Sequence, residues 1–197
     1  MTIYDLKPAF QALLRPAAAR LSKAGITPNA VTLAALFLSF AQALAIVLSG
    51  AAAWSLLMLP ATLFLRMALN AVDGIMAKEF GGASRLGAYL NELCDAASDA
   101  ALYLAFLAVL GIDPYSVVLF TLGALLSEYA GVLGWALTGT RRYDGPFGKS
   151  DRAFFIGLAG LLAGTGILGP QLLSYLFWAG ALLTLPTLYN RIKKGLS

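Results

Sequence analysis

The carboxylates Asp73, Glu92, Asp95 and Asp99 lie close together in a stretch that reads NAVDGIMAKEFGGASRLGAYLNELCDAASD, and the amides Asn70 and Asn91 share their spacing. Arg66, Asn70, Asp73 and Ala77 follow at intervals of four, three and four, which puts them on one face of a helix. Gly87, Asn91, Asp95 and Asp99 recur every fourth residue, again one face, with Glu92 and Ser98 at its edges. Two polar stripes of this kind, on consecutive antiparallel helices, would be aimed at each other. Oxygen donors gathered in this way suit a hard divalent cation, Mg²⁺, Mn²⁺ or Ca²⁺. A salt bridge to Arg66 or an interhelical hydrogen-bond network would account for one carboxylate, but nearby cations are too few for four. The chain has no histidine, so any proton transfer falls to a carboxylate, a lysine or a tyrosine.

The elements that carry these stripes belong in a membrane. Of 197 residues 59% are hydrophobic and 12% charged, whereas a soluble domain holds about 25% charged residues. Six apolar runs approach the ~20 residues needed to cross ~30 Å of hydrocarbon: about 31–50, 54–72, 87–111, 115–138, 153–169 and 171–190. The expected fold is all-α and integral to the membrane: six transmembrane helices and an N-terminal interfacial amphipathic helix, in one domain over 1–197. Residues 1–28 would form the interfacial helix and a turn, and 29–197 the six-helix bundle. Ionisable groups at such depth cost at least ~2.5–3.5 kcal/mol each on insertion scales and mark function by default.

Basic residues set the orientation. Lys7, Arg15, Arg20 and Lys23 precede the first span; Lys78 and Arg85 separate the second and third; Arg141, Arg142, Lys149 and Arg152 separate the fourth and fifth; Arg191, Lys193 and Lys194 follow the sixth. The opposite loops hold no Lys or Arg, so both termini and the polar stripes are expected on the cytoplasmic side. The net charge of +4 then faces anionic lipid, which makes nucleic acid an unattractive partner. In residues 3–23, Phe10, Leu13, Leu14, Ala17 and Leu21 make an apolar face that Lys7, Arg15 and Lys23 would flank at the headgroups, with a bend at Pro16. Pro28 and Asn29 suit a turn, with the first span starting beyond it. Small residues at four-residue spacing, Gly123, Ser127 and Gly131, then Gly160 and Gly164, suit close helix packing. Pro186 should kink the last span. Cys94, the single cysteine, excludes an intramolecular disulfide. No cleavable signal peptide is expected ahead of the first apolar run.

At this point the motifs resemble those of the CDP-alcohol phosphatidyltransferase family, whose pattern is D-x-x-D-G-x-x-A-R followed by G-x-x-x-D-x-x-x-D. Here Asn70-x-x-Asp73-Gly74-x-x-Ala77-Lys78 and Gly87-x-x-x-Asn91-x-x-x-Asp95 stand in the same order. A P-N-x-x-T element matches Pro28, Asn29 and Thr32, and a G-K-x-K-T element resembles Gly148-Lys149-Ser150-Asp151-Arg152. The resemblance implies transfer of a phosphatidyl group from a CDP-linked lipid to an acceptor hydroxyl, with release of CMP. It implies Mg²⁺ or Mn²⁺ at Asn70, Asp73, Asn91 and Asp95, with Asp95 as the base, and the neighbouring Glu92 and Asp99 could join them as metal ligands. Nucleotide and lipid would be held by Asn29, Thr32, Asp73, Gly74, Ala77, Lys78 and Gly87. The acceptor, a small polar alcohol, would meet Arg142, Lys149, Arg152 and Glu128, whose cations favour glycerol phosphate or inositol phosphate over serine or choline. A homodimer in a bacterial inner membrane is the implied setting.

Three departures bear on activity. Asn70 and Asn91 stand where the family has aspartates, and Lys78 where it has arginine, which loses the bidentate fork. Two dications 4 Å apart repel by roughly 16 kcal/mol at an effective dielectric of 20, so the missing carboxylates weaken a two-metal site. Glu92 and Asp99 could restore the charge in a shifted pair, one metal could suffice, or the chain could bind CDP-lipid silently as a membrane subunit. An ion or solute transporter is the rival from another class. Against it, the polar stripes occupy only the cytoplasmic halves of the second and third spans.

Overall fold

The computed structural model describes residues 3–196, with side chains from residue 9 onward. The Lys7 headgroup contact therefore lies outside the described side chains. The described chain is helical: α1 (Ile3–Lys23), α2 (Pro28–Leu48), α3 (Ala53–Leu57), α4 (Leu59–Glu79), α5 (Arg85–Leu104), a 3₁₀ turn (Ala105–Ala108), α6 (Pro114–Thr138), α7 (Lys149–Gly164) and α8 (Pro170–Gly195). Two compact units emerge, one from residues 1–40 and 61–98, the other from 41–60 and 99–197. Each is described by itself.

Four segments are long and apolar enough to cross a membrane: Pro28–Leu48, Ala53–Glu79, Pro114–Thr138 and Pro170–Gly195. The other two expected spans differ for identifiable reasons. Glu92, Asp95 and Asp99 interrupt the apolar character of α5, which stops at Leu104 and tightens into the 3₁₀ turn. The 16 residues of α7 reach only about 24 Å at 1.5 Å per residue. The apolar run that was expected to extend it to 169 instead turns at Gly166, where φ is +76°.

Helix starts follow their capping chemistry. The turn expected at Pro28-Asn29 is already the first turn of α2: Thr27 Oγ1 accepts the Ala30 N–H at 3.2 Å, and Pro28 occupies the first helical position, where its missing N–H costs nothing. Ser84 caps α5 by accepting the Gly87 N–H at 2.9 Å. Asp113 caps α6 through the Tyr115 N–H at 3.0 Å and also accepts from Trp178 Nε1 at 2.8 Å. Asp151 accepts the Gly148 N–H at 2.9 Å and so closes the start of α7.

In the first unit, α1 turns Leu14, Ala18 and Leu21 onto Val31, Val72, Ile75 and Met76. Leu13, another residue of the expected apolar face, is 75% exposed. The helix is continuous through Pro16. Arg15 reaches Glu79 with both Nε and Nη2, at 2.7 and 2.9 Å, and the carboxylate raises the guanidinium's already high pKa through that hydrogen bond.

In the second unit, Tyr103, Phe106, Phe147, Phe155 and Phe177 surround Phe120 or its neighbours with ring centroids 5.0–6.3 Å apart. Gly160 and Gly164 admit α3 and the start of α4: added Cβ atoms would meet Leu59 Cδ2 at 2.8 Å and Leu57 Cγ at 2.9 Å. Gly123 does the same for α8, since a Cβ there would lie 2.2 Å from Thr184 Oγ1. Gly123→Ala should therefore lower stability by about 1–3 kcal/mol through overpacking, read as a lower Tm in detergent. Adding Thr184→Ala should recover most of the loss, and equal melting of Gly123→Ala and wild type would rule out the close packing of α6 and α8 at this point.

Candidate active site

The first unit holds most of the residues singled out from the sequence. Thr32 on α2 and Asp73 on α4 are buried, 6% and 5% exposed, and Thr32 Oγ1 lies 2.7 Å from Asp73 Oδ2 and 3.1 Å from Pro28 O. One hydroxyl proton serves one acceptor at a time, and the shorter contact, to the carboxylate oxygen, is the stronger. The P-N-x-x-T element thus supplies a hydrogen bond to a buried carboxylate.

Asp95 on α5 is held from α4. Asn70 Nδ2 donates to Asp95 Oδ1 at 2.7 Å. Arg66 Nη2 donates to the same oxygen at 3.2 Å and to the Asp95 carbonyl at 3.1 Å. The salt bridge that the sequence offered as one account of these acids is therefore present, for Asp95. Asn29 lies over Gly87, where an added Cβ would stand 2.8 Å from Asn29 Oδ1, while a Cβ on Gly74 would meet no atom within 4 Å. Lys78 is exposed, and Asn91 and Glu92 are half-buried. Gly87→Ala should push the Asn29 amide aside with little loss of stability, because the clash is with side-chain ends. The expected result is a Tm nearly unchanged from wild type, checked by thermal melting in detergent.

The chemistry of this set suits one hard cation. Asp73 and Asp95 bring charge, and Asn70 and Asn91 bring neutral amide carbonyls in place of two more carboxylates. Among the described residues, no three Asp, Glu, Cys or His side chains gather as a metal cage.

The second unit collects Asp99, Glu128, Arg142, Lys149 and Arg152. Glu128 Oε1 accepts from Arg152 Nη2 at 2.5 Å and Arg191 Nη1 at 3.2 Å, and Oε2 accepts from Arg141 Nη2 at 3.1 Å. Arg152 is fully buried and Arg191 2% exposed. Arg152 also donates to the Phe147 carbonyl at 2.9 Å, and Arg191 to the Ser127 carbonyl. Lys149 and Asp99 lie within electrostatic range of Glu128 and Arg152 respectively. The Nε atoms of Arg142, Arg152 and Arg191 are buried with no hydrogen-bond partner among the described residues.

Arg141, read from the sequence as an inside-positive anchor, and Arg191, read only as a basic residue after the last span, both bind Glu128. Arg191 is reachable in the sequence only through its place one turn before Lys194-Gly195, which is no signal of a site. Gly131 makes room for it: an added Cβ would lie 3.3 Å from Arg191 Nη1 and 2.7 Å from the Arg142 carbonyl. Just beyond, Lys194 Nζ lies 2.8 Å from Asp144 Oδ1 and holds that carboxyl below its ordinary pKa.

In the first unit α4 holds Asp95 of α5 through Arg66 and Asn70, and in the second unit three arginines gather on Glu128. The chain belongs to the CDP-alcohol phosphatidyltransferase family, whose model matches residues 25–186. It is 44% identical over 199 residues to the inner membrane protein YnbA of Escherichia coli (strain K12), covering 100% of this chain and 97% of that one. It is 34% identical over 124 residues to the phosphatidylinositol phosphate synthase of Mycolicibacterium smegmatis, covering 62% of this chain and 54% of that one. The Mycobacterium tuberculosis phosphatidylinositol phosphate synthase (PgsA1) with CDP-DAG bound has the same fold, with TM-score 0.80 at 24% identity over 94% of each chain. Its complex with manganese and citrate gives TM-score 0.78 at 23% identity, covering 93% of this chain and 89% of that one. The chain is thus an integral membrane phosphotransferase of phospholipid biosynthesis.

Proposed function

We propose that the chain transfers a phosphatidyl group from a CDP-diacylglycerol-like lipid to a small alcohol that itself bears phosphate, glycerol phosphate or inositol phosphate, and releases CMP. The observation that carries the acceptor class is the second-unit cluster: three guanidiniums share one carboxylate. A surplus of two positive charges beside a membrane calls for an anion, and phosphate geometry suits arginine. The name of the M. smegmatis relative agrees with inositol phosphate.

In this reading Asp95 accepts the proton of the acceptor hydroxyl as its oxygen bonds to the phosphatidyl phosphorus. The bond from that phosphorus to the CMP oxygen breaks, and CMP leaves with the electron pair. Asp73, Asp95 and the carbonyls of Asn70 and Asn91 would hold a divalent ion, Mg²⁺ or Mn²⁺, whose charge offsets the pyrophosphate and eases departure of CMP. Asp99 and Glu92 add negative charge to the same helix. Asn29, Thr32, Gly74, Ala77, Lys78 and Gly87 would seat the nucleotide; Gly74 and Ala77 lack the bulk to obstruct it. Arg142, Lys149, Arg152 and Glu128 would receive the acceptor, joined by Arg141 and Arg191.

The setting we propose is one catalytic domain over 1–197 with α5 and α7 completing six spans, α1 lying in the interface, both termini cytoplasmic, and a homodimer in a bacterial inner membrane. The one-sided placement of Lys and Arg supports the orientation. A second reading, a CDP-lipid-binding subunit without turnover, is favoured by the amides at 70 and 91.

Purified protein given CDP-diacylglycerol, Mg²⁺ or Mn²⁺ and a panel of acceptors separates them. Release of CMP with inositol phosphate or glycerol phosphate, and none with serine, is expected. Binding of CDP-lipid without CMP from any acceptor would establish the silent reading.

A further inference from the structure

We propose that Arg66 is a fixed cation of the first-unit centre: its guanidinium balances Asp95 in place of a second divalent ion, so the centre takes one Mg²⁺- or Mn²⁺-class ion per chain. This rests on the metal-dependent reading above and adds to it the number of ions and what stands in for the missing one.

A cation buried in a membrane-spanning helix is costly and needs compensation. Arg66 is 4% exposed, and its Nη2 is directed at both the carboxylate and the main-chain oxygen of Asp95, at 3.2 and 3.1 Å. Asn70, one turn along the same face of α4, donates to the same Oδ1 at 2.7 Å. Two donors therefore converge on a single oxygen.

A carboxylate at position 70 could not make that contact; it would repel Asp95 unless a cation stood between them. Asn70 and Arg66 together do what such a cation would do, by hydrogen bond and by charge. A dication approaching the same Oδ1 would meet the guanidinium.

The test is to titrate Mn²⁺ into the full chain in detergent micelles with CDP present, counting bound ions by electron paramagnetic resonance and calorimetry. One Mn²⁺ per wild-type chain is expected, and two, with a spin-coupled spectrum, for Arg66→Gln combined with Asn70→Asp. Two or no Mn²⁺ on the wild type overturns the proposal, as does a double variant that stays at one. If the double variant does not fold, Arg66→Lys takes its place: it keeps the charge and should bind one, and two would overturn the proposal. CMP release is measured in parallel. One Mn²⁺ with no CMP from any acceptor defeats the catalytic reading and leaves the ion count standing.

Discussion

Asp95→Asn is expected to lower the rate of CMP release by about 10²–10⁴-fold, the usual worth of a positioned general base. The asparagine carbonyl can still accept from Arg66 and Asn70, so the α4–α5 contact should survive and CDP-lipid should still bind. The fall should thus appear in kcat with little change in KM. A drop in KM affinity of the same size as the drop in kcat would point to a collapsed site instead. Asn70→Ala is the companion variant. It leaves the base but removes both the 2.7 Å hydrogen bond to Asp95 Oδ1 and the carbonyl proposed to hold the ion, so a loss larger than the roughly tenfold of one hydrogen bond of about 0.5–1.5 kcal/mol is expected. Full activity of Asp95→Asn would move the proton to Glu92 or Asp99.

Glu128→Gln should be the most destabilising change in the second unit. The side chain is 15% exposed and is the shared partner of Arg141, Arg152 and Arg191. Neutralising it leaves buried guanidiniums without their counter-charge, which in buried pairs costs about 3–5 kcal/mol. At ~2–4 °C per kcal/mol for a chain of this size, Tm should fall by roughly 6–20 °C in detergent. The arginine cluster then carries a larger positive surplus. Inorganic phosphate should therefore raise the Tm of Glu128→Gln by more than it raises the wild type's. An equal phosphate effect on both would argue against an anion site there, whatever the loss of stability.

The helix faces that carry Asp73 and Asp95 were legible from spacing alone. Asp73 and Asp95 fall on single helix faces whose period is a property of the α-helix, and Thr32 and Asn29 come with them through a local motif. The lengths of α5 and α7 were less legible. Hydropathy counts apolar residues and does not see that three acids break one run or that Gly166 turns the other. Which of Leu13 and Leu14 packs against the unit's core was not legible either: both are apolar, and only the surface presented by Val72 and Met76 selects between them.

The sequence by itself determined the membrane class, the family, the helix faces and the chemical types at the centre, because these depend on composition and on contacts within a few residues. Tertiary structure decided which charges meet. Arg66 and Asp95 are 29 residues apart, and Arg191 and Glu128 are 63 apart. Nothing local in either pair distinguishes a site residue from an anchor. In a membrane-spanning chain every buried cation must find an anion, and only the fold says which one it finds.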